Sequence, residues 1–122
     1  MDVQTQEQLT SKKCKPCEGG VDPCTIDEAR QQLDNLTGWQ LSDDAKWIRK
    51  EWGVNHFVAG MEFLNRVATV AEADGHHPDV HLVGYRKVII ELSTHAIGGL
   101  SENDFILAKI FQWRPIAPIH PE

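Results

Sequence analysis

The stretch "AEADGHHPDVHLVGYRKVIIELSTH", residues 71–95, decides the fold. It begins in a segment with apolar residues at helical spacing, breaks at Gly75, and passes through two adjacent histidines into Pro78. A glycine takes up the left-handed backbone of a helix exit, and a proline just beyond keeps the helix from resuming. From Asp79 onward the period changes from helical to alternating. Val88, Ile90, Leu92 and Thr94 fall on one side of an extended chain, and Lys87, Ile89, Glu91, Ser93 and His95 on the other. Gly84-Tyr85-Arg86 interrupts the run, so the segment reads as a hairpin with His95 as the last residue of its second strand. Hairpin strands are antiparallel, so the start of the first lies beside the end of the second. His76, His77 and His95 should therefore converge on one sheet edge.

Upstream, Phe57, Met61, Leu64, Ala68 and Ala71 step by fours and threes, predicting a helix over roughly 55–74 with that row as its buried stripe. Before it, "WQLSDDAKWIRKEWGV", residues 39–54, reads as two strands joined by the turn-like Ser-Asp-Asp-Ala. Trp39, Trp47 and Trp52 lie there at strand spacing as core or subunit-contact residues. Thr25 and Glu28 form a capping box ahead of a first helix carrying Ile26, Ala29, Leu33 and Leu36, which Gly38 closes. Downstream, "IGGLS" is a loop, and Ser101 starts a last helix whose Ile106, Ile110 and Trp113 share a face. The order helix-hairpin-helix-hairpin-helix predicts an α+β two-layer sandwich, a four-stranded antiparallel sheet with three helices on one face. Residues 1–24 read as a polar arm with a C-x-x-C, 25–114 as the domain, and 115–122 as a proline-rich tail.

The bulk composition narrows the function classes. At 122 residues, 41% hydrophobic and 25% charged, the chain suits one ordinary globular domain. A net charge of −6 without a basic stripe argues against nucleic-acid binding through phosphate neutralisation. No apolar run approaches the roughly 20 residues needed to span a bilayer, and "MDVQTQEQLTSKK" lacks the apolar core of a signal peptide. The expectation is a cytoplasmic protein with reduced cysteines. Cys14 and Cys17 form the C-x-x-C, with Cys24 beyond. No neighbouring histidine completes a zinc set, and the βαβ setting of a redox pair is missing, so a structural knuckle is favoured.

Imidazole has an unperturbed pKa near 6.5, so two or three at one mouth can supply an acid and a base together. Without a strong nucleophile, a phosphate-cradling glycine loop or an H-E-x-x-H, that chemistry suits eliminations, hydrations or tautomerisations. The bland readings are specific. His76 and His77 could be a solvated helix cap. Asp104, third in a helix capped by Ser101, is first a helix-N-terminal acceptor. Glu72 is a solvated helix residue that could support an imidazole. His81 reads as sheet surface, His56 as a helix start, Tyr85 as turn packing and His120 as an inert tail residue.

The segment "EADGHHPDVHLVGYRKVIIELSTHAIGGLSENDFILA", residues 72–108, resembles the pterin-4a-carbinolamine dehydratases. Their pattern is an acidic or polar residue, three more, His-His-Pro, an aromatic, a histidine after nine residues, and an aspartate. Glu72, His76-His77-Pro78, Tyr85, His95 and Asp104 meet it at each point. The resemblance spans about residues 25–113, and "KKCKPCEGG" is similar to the opening of bacterial and plant members. It implies the fold read above and the dehydration of 4a-hydroxytetrahydropterin to quinonoid dihydropterin, which regenerates the cofactor of aromatic amino-acid hydroxylases. It further implies catalysis by His76, His77 and His95, pterin contacts along His76-His77-Pro78 and Ser93-Thr94-His95, support from Glu72 and Asp104, a homo-dimer or homo-tetramer, and no metal or cofactor besides the pterin. The alternative of another class is a non-catalytic binding or regulatory module of the same fold, a transcription cofactor or assembly factor.

Overall fold

The computed structural model describes residues 22–113. Helix α1 (Ile26–Leu33) is followed by β1 (Gln40–Leu41), β2 (Ile48–Gly53), the long helix α2 (Phe57–Asp74), β3 (Asp79–Val83), β4 (Lys87–Leu92), a 3₁₀ turn (His95–Ile97) and α3 (Glu102–Trp113). The four strands form one antiparallel sheet in the order β1-β2-β4-β3. Ile48, Trp52, Val88, Ile90 and Leu92 point to the helical side and join Phe63, Val67, Phe105 and Ile106 in one core. The α+β architecture therefore follows the sequence pattern. The expectations for the arm through residue 21, with Cys14 and Cys17, and for the tail from residue 114, with His120, lie outside the described residues, as does the Trp113 side chain.

The ends of the elements are set by local chemistry. Thr25 Oγ1 accepts from the Glu28 N–H at 3.2 Å, and Glu28 Oε1 accepts from the Thr25 N–H at 2.8 Å, which is the expected capping box. His56 starts α2, its Nδ1 accepting from the Ala59 N–H at 3.1 Å. Gly75, at φ +67°, closes α2 in the left-handed conformation. In the β3–β4 turn Gly84 and Tyr85 both hold positive φ, +57° and +55°.

Three expectations are corrected. The buried row of α2 is Gly60, Phe63, Val67 and Ala71, which shares only Ala71 with the expected row, while Leu64 packs at the edge of the core. Phe57 is 53% and Met61 42% exposed, and Ala68 is exposed too. Two apolar rows lie side by side on this helix, and either satisfies helical spacing. Contact with the sheet selects the row containing Gly60, where an added Cβ would lie 2.9 Å from Leu82 Cδ1. In α1, Ile26 is 46% exposed, while Ala29 and the amide of Gln32 are fully buried. That helix stops at Leu33, well before Gly38. Finally, β4 ends at Leu92, and His95 begins the 3₁₀ turn instead of ending the strand. Thr94 instead pairs with Gly99, its N–H donating to the Gly99 carbonyl at 2.8 Å.

Candidate active site

The site is organised around one buried carboxylate. Asp104, fully buried at the third position of α3, accepts three hydrogen bonds. The Ser101 N–H donates to Oδ2 at 2.9 Å, which is the helix-capping role. The Thr94 hydroxyl donates to the same oxygen at 2.8 Å. The His76 ring N–H at Nε2 donates to Oδ1 at 2.6 Å. Capping and imidazole support are thus one residue's work. A carboxylate holding the proton of Nε2 leaves the lone pair of the neutral ring on Nδ1, so Asp104 fixes the tautomer of His76.

His76 reaches Asp104 because of how α2 ends. The left-handed Gly75 reverses the chain, the His76 N–H donates to the Ala71 carbonyl at 3.3 Å, and the ring turns inward to 7% exposure. Its neighbour points the other way. His77 is exposed, its Nε2 3.2 Å from Glu72 Oε1, so Glu72 supports that imidazole from the last turn of the same helix. Pro78 is half-buried between this corner and β3.

His95 enters from the other side. Thr94, beside it in the chain, is tied through its hydroxyl to Asp104 and, at 2.7 Å, to Ser101 Oγ. One carboxylate thus connects the helix exit at His76 to the residue preceding His95. The His95 side chain is exposed and lines an open cleft of about 430 Å³ together with Trp47, Asp79, Glu91 and Ser93. Asp79 and Glu91 are partners across β3 and β4, so the start of one strand does lie beside the end of the other. Ser93 donates its hydroxyl to the Lys46 carbonyl at 2.6 Å. Both the Ser93 and Thr94 hydroxyls are therefore engaged within the chain.

The remaining titratable groups have structural places. His81 sits on the open face of the sheet with Nε2 2.6 Å from Glu91 Oε1. Tyr85 is exposed at the far end of the hairpin. Cys24 is buried in the core, its N–H bonded to the Leu100 carbonyl at 2.9 Å. Burial pushes its thiol up to about 11, with the nearby Glu28 and Asp104 carboxylates adding to the effect. Among the described residues no group of three or more His, Cys, Asp or Glu side chains could hold a metal ion, and no helix is long and apolar enough to cross a membrane. Of the residues lining the His95 cleft, Trp47 reads from the sequence as a core or subunit-contact residue, but it lies half-buried outside the core, and Asp79 carries no sequence signal of its own. For Trp47 the signal was the alternation itself, since it precedes the core-facing Ile48 and so belongs to the open face.

Comparison with known proteins identifies the family and the fold. The family model described as Pterin 4 alpha carbinolamine dehydratase matches residues 22–112. The chain is 48% identical over 103 residues to an Arabidopsis thaliana protein named pterin-4-alpha-carbinolamine dehydratase 2, mitochondrial, a match covering 82% of this chain and 55% of that protein. It is 46% identical over 104 residues to a Nitrosospira multiformis protein named putative pterin-4-alpha-carbinolamine dehydratase, covering 85% of this chain and 89% of that one. A crystal structure from Brucella melitensis, titled transcriptional coactivator/pterin dehydratase, superposes with a TM-score of 0.71 at 29% identity, over 80% of this chain and 100% of that chain. A RuBisCO assembly factor of the alpha-carboxysome, titled pterin dehydratase-like, shares the fold at 18% identity and a TM-score of 0.50, over 62% of this chain and 90% of that one. By sequence, fold and family model alike, the chain belongs to the pterin-4-alpha-carbinolamine dehydratases, hydro-lyases that act on a pterin.

Proposed function

We propose that this chain removes water from a 4a-hydroxytetrahydropterin by histidine acid–base catalysis, giving quinonoid dihydropterin. The C4a–O bond breaks as the departing oxygen takes a proton, and a ring N–H gives one up as the C=N bond forms. The change is a pair of proton transfers without net redox, so imidazoles suffice and the pterin needs no further cofactor. His76, His77 and His95 carry these transfers. Asp104 is a positioning residue that acts through His76 by holding its tautomer. Pro78, Ser93 and Thr94 shape the pterin's surroundings, and Glu72 supports His77. The observation that supports this most is the buried Asp104, bonded at once to His76 and to the hydroxyl next to His95.

Each general acid or base is typically worth about 10²- to 10⁴-fold in rate. The test is dehydration of freshly generated 4a-hydroxytetrahydropterin, followed by absorbance, by wild type and by the His76→Ala, His77→Ala and His95→Ala variants. Wild type should exceed buffer by orders of magnitude, and each variant should lose at least about 10². A wild-type protein no faster than buffer would refute the assignment.

The same reading places the chain after an aromatic amino-acid hydroxylase, in the cytoplasm. It also makes the chain a homo-dimer or homo-tetramer, supported by the exposed Phe57, Val58 and Met61 on α2. A second reading, a non-catalytic regulatory module, draws on that same exposed row and on the coactivator half of the Brucella structure's title. A variant lacking His76, His77 and His95 that kept the full cellular phenotype would favour it.

A further inference from the structure

Among the side chains that line the cleft with His95, Trp47 and Asp79 have no part in the acid–base scheme. At about 430 Å³ the cleft is within the range of small-ligand sites. It opens on the sheet face turned away from the helices, because Trp47 alternates with the buried Ile48, and Asp79 and Glu91 alternate with Val80 and Ile90. Trp47 is rigidly placed. Ser42 Oγ accepts from the Trp47 N–H at 3.2 Å, and the Ser93 hydroxyl donates to the preceding carbonyl of Lys46 at 2.6 Å. The β1–β2 turn is thereby fastened to the chain two residues before His95. The backbone that carries the indole is thus fixed, and an indole offers a flat wall for an aromatic ring.

Asp79 and Glu91 stand directly opposite each other across β3 and β4, an unfavourable pairing of like charges. Glu91 Oε1 accepts a hydrogen bond from His81 Nε2 at 2.6 Å. Among the described residues the Asp79 carboxylate has no hydrogen-bond or ion-pair partner. A carboxylate has the geometry to accept two parallel N–H bonds, and the partner it suits carries two adjacent donors on a planar edge. The 2-amino group and N3–H of a pterin's pyrimidine ring form such an edge.

We propose that Trp47 and Asp79 are substrate-binding residues: the pterin lies in this cleft with its ring against the indole and its N3–H/2-amino edge on Asp79. The inference rests on the dehydratase reading and adds to it which face of the sheet receives the ring and which group selects a 2-amino-4-oxo pteridine. His95, on the same cleft, then meets the ring without any rearrangement of the sheet.

The test compares binding of oxidised pterin and of pteridine-2,4-dione, which carries a 2-oxo group in place of the 2-amino group. Calorimetry would be run on wild type, Asp79→Asn, Trp47→Leu and Trp47→Phe, with steady-state dehydration in parallel. Wild type should prefer the 2-amino compound. Asp79→Asn should weaken pterin binding about tenfold and abolish the preference, as expected for loss of a charge-assisted pair. Trp47→Leu should raise KM about tenfold with kcat within threefold, and Trp47→Phe should restore most of it. Asp79 is exposed and Trp47 half-buried outside the core, so circular dichroism should be unchanged. If Asp79→Asn keeps the wild-type preference, or Trp47→Leu keeps the wild-type KM, the assignment is wrong while the dehydratase reading stands. If wild type binds and discriminates but does not dehydrate, the cleft stands and the dehydratase reading falls. If wild type binds no pterin, both fall.

Discussion

Replacing Asp104 with asparagine would test the central carboxylate, because it keeps the side chain's volume and removes only its charge and one acceptor. The three bonds it now accepts come from His76 Nε2, Thr94 Oγ1 and the Ser101 N–H. The asparagine oxygen can still serve the last two, which already share Oδ2 of the aspartate. Its amide then faces His76, and two N–H donors meet where 2.6 Å now separates donor from acceptor. Either the bond is lost, or the His76 proton moves to Nδ1 and the ring can no longer take a proton there. A buried hydrogen bond to a charged group contributes about 1.5–3 kcal/mol. The melting temperature should therefore fall by roughly 6–20 °C for a domain of this size, leaving the protein folded at 25 °C. The rate should fall further, by about 10²–10⁴, because a correctly protonated base is missing. Stopped-flow absorbance would separate the two effects, with kcat falling and KM changing less than about threefold. If Asp104→Asn lowered the melting temperature but left kcat unchanged, Asp104 would be a helix cap only and the tautomer argument would be wrong.

Other perturbations read different parts of the fold. Phe57→Ser with Met61→Ser should reduce the mass measured by light scattering without weakening the core, whereas Phe63→Ala, in the fully buried row, should cost about 3–5 kcal/mol by denaturant titration. A drop in stability from the first pair as large as from the second would place the buried stripe where spacing alone puts it. Gly99→Ala should cost about 1–3 kcal/mol, since a Cβ there would lie 2.8 Å from the rigid ring of Pro23. Cys24 should make stability fall between pH 9 and 11. Its thiol ionises near 9.0 in the unfolded chain and only at about 11 when folded, so the contribution is complete below 9 and lost as pH rises through 11. That gap is worth at most about 3 kcal/mol, less for the solvent that screens the thiol, and Cys24→Ala should flatten this part of the pH–stability curve.

Residues 71–95 by themselves determined most of the architecture. The change from helical to alternating period at Gly75-His76-His77-Pro78 locates the helix exit, and strand alternation assigns Val88, Ile90 and Leu92 to the core. Such features depend on the local backbone and on a period of two or 3.6 residues, so they can be read along the chain. Antiparallel pairing also brings the His76-His77 corner and the end of the hairpin to the same edge, as the register of Asp79 with Glu91 shows. Tertiary structure decided what spacing leaves degenerate. The adjacent apolar rows of α2 are equivalent until Leu82 approaches Gly60. Asp104 satisfies a helix cap whether or not an imidazole reaches it, and only the folded chain brings His76 and Thr94 to the same carboxylate. Asp79 reaches the His95 end of the sheet through the local β3–β4 hairpin, but Trp47 arrives there only because β2 pairs with β4, which lies far along the chain. Local propensity acts over a few residues, but a site is assembled by long-range packing, and packing chooses among faces that the local pattern makes equally good.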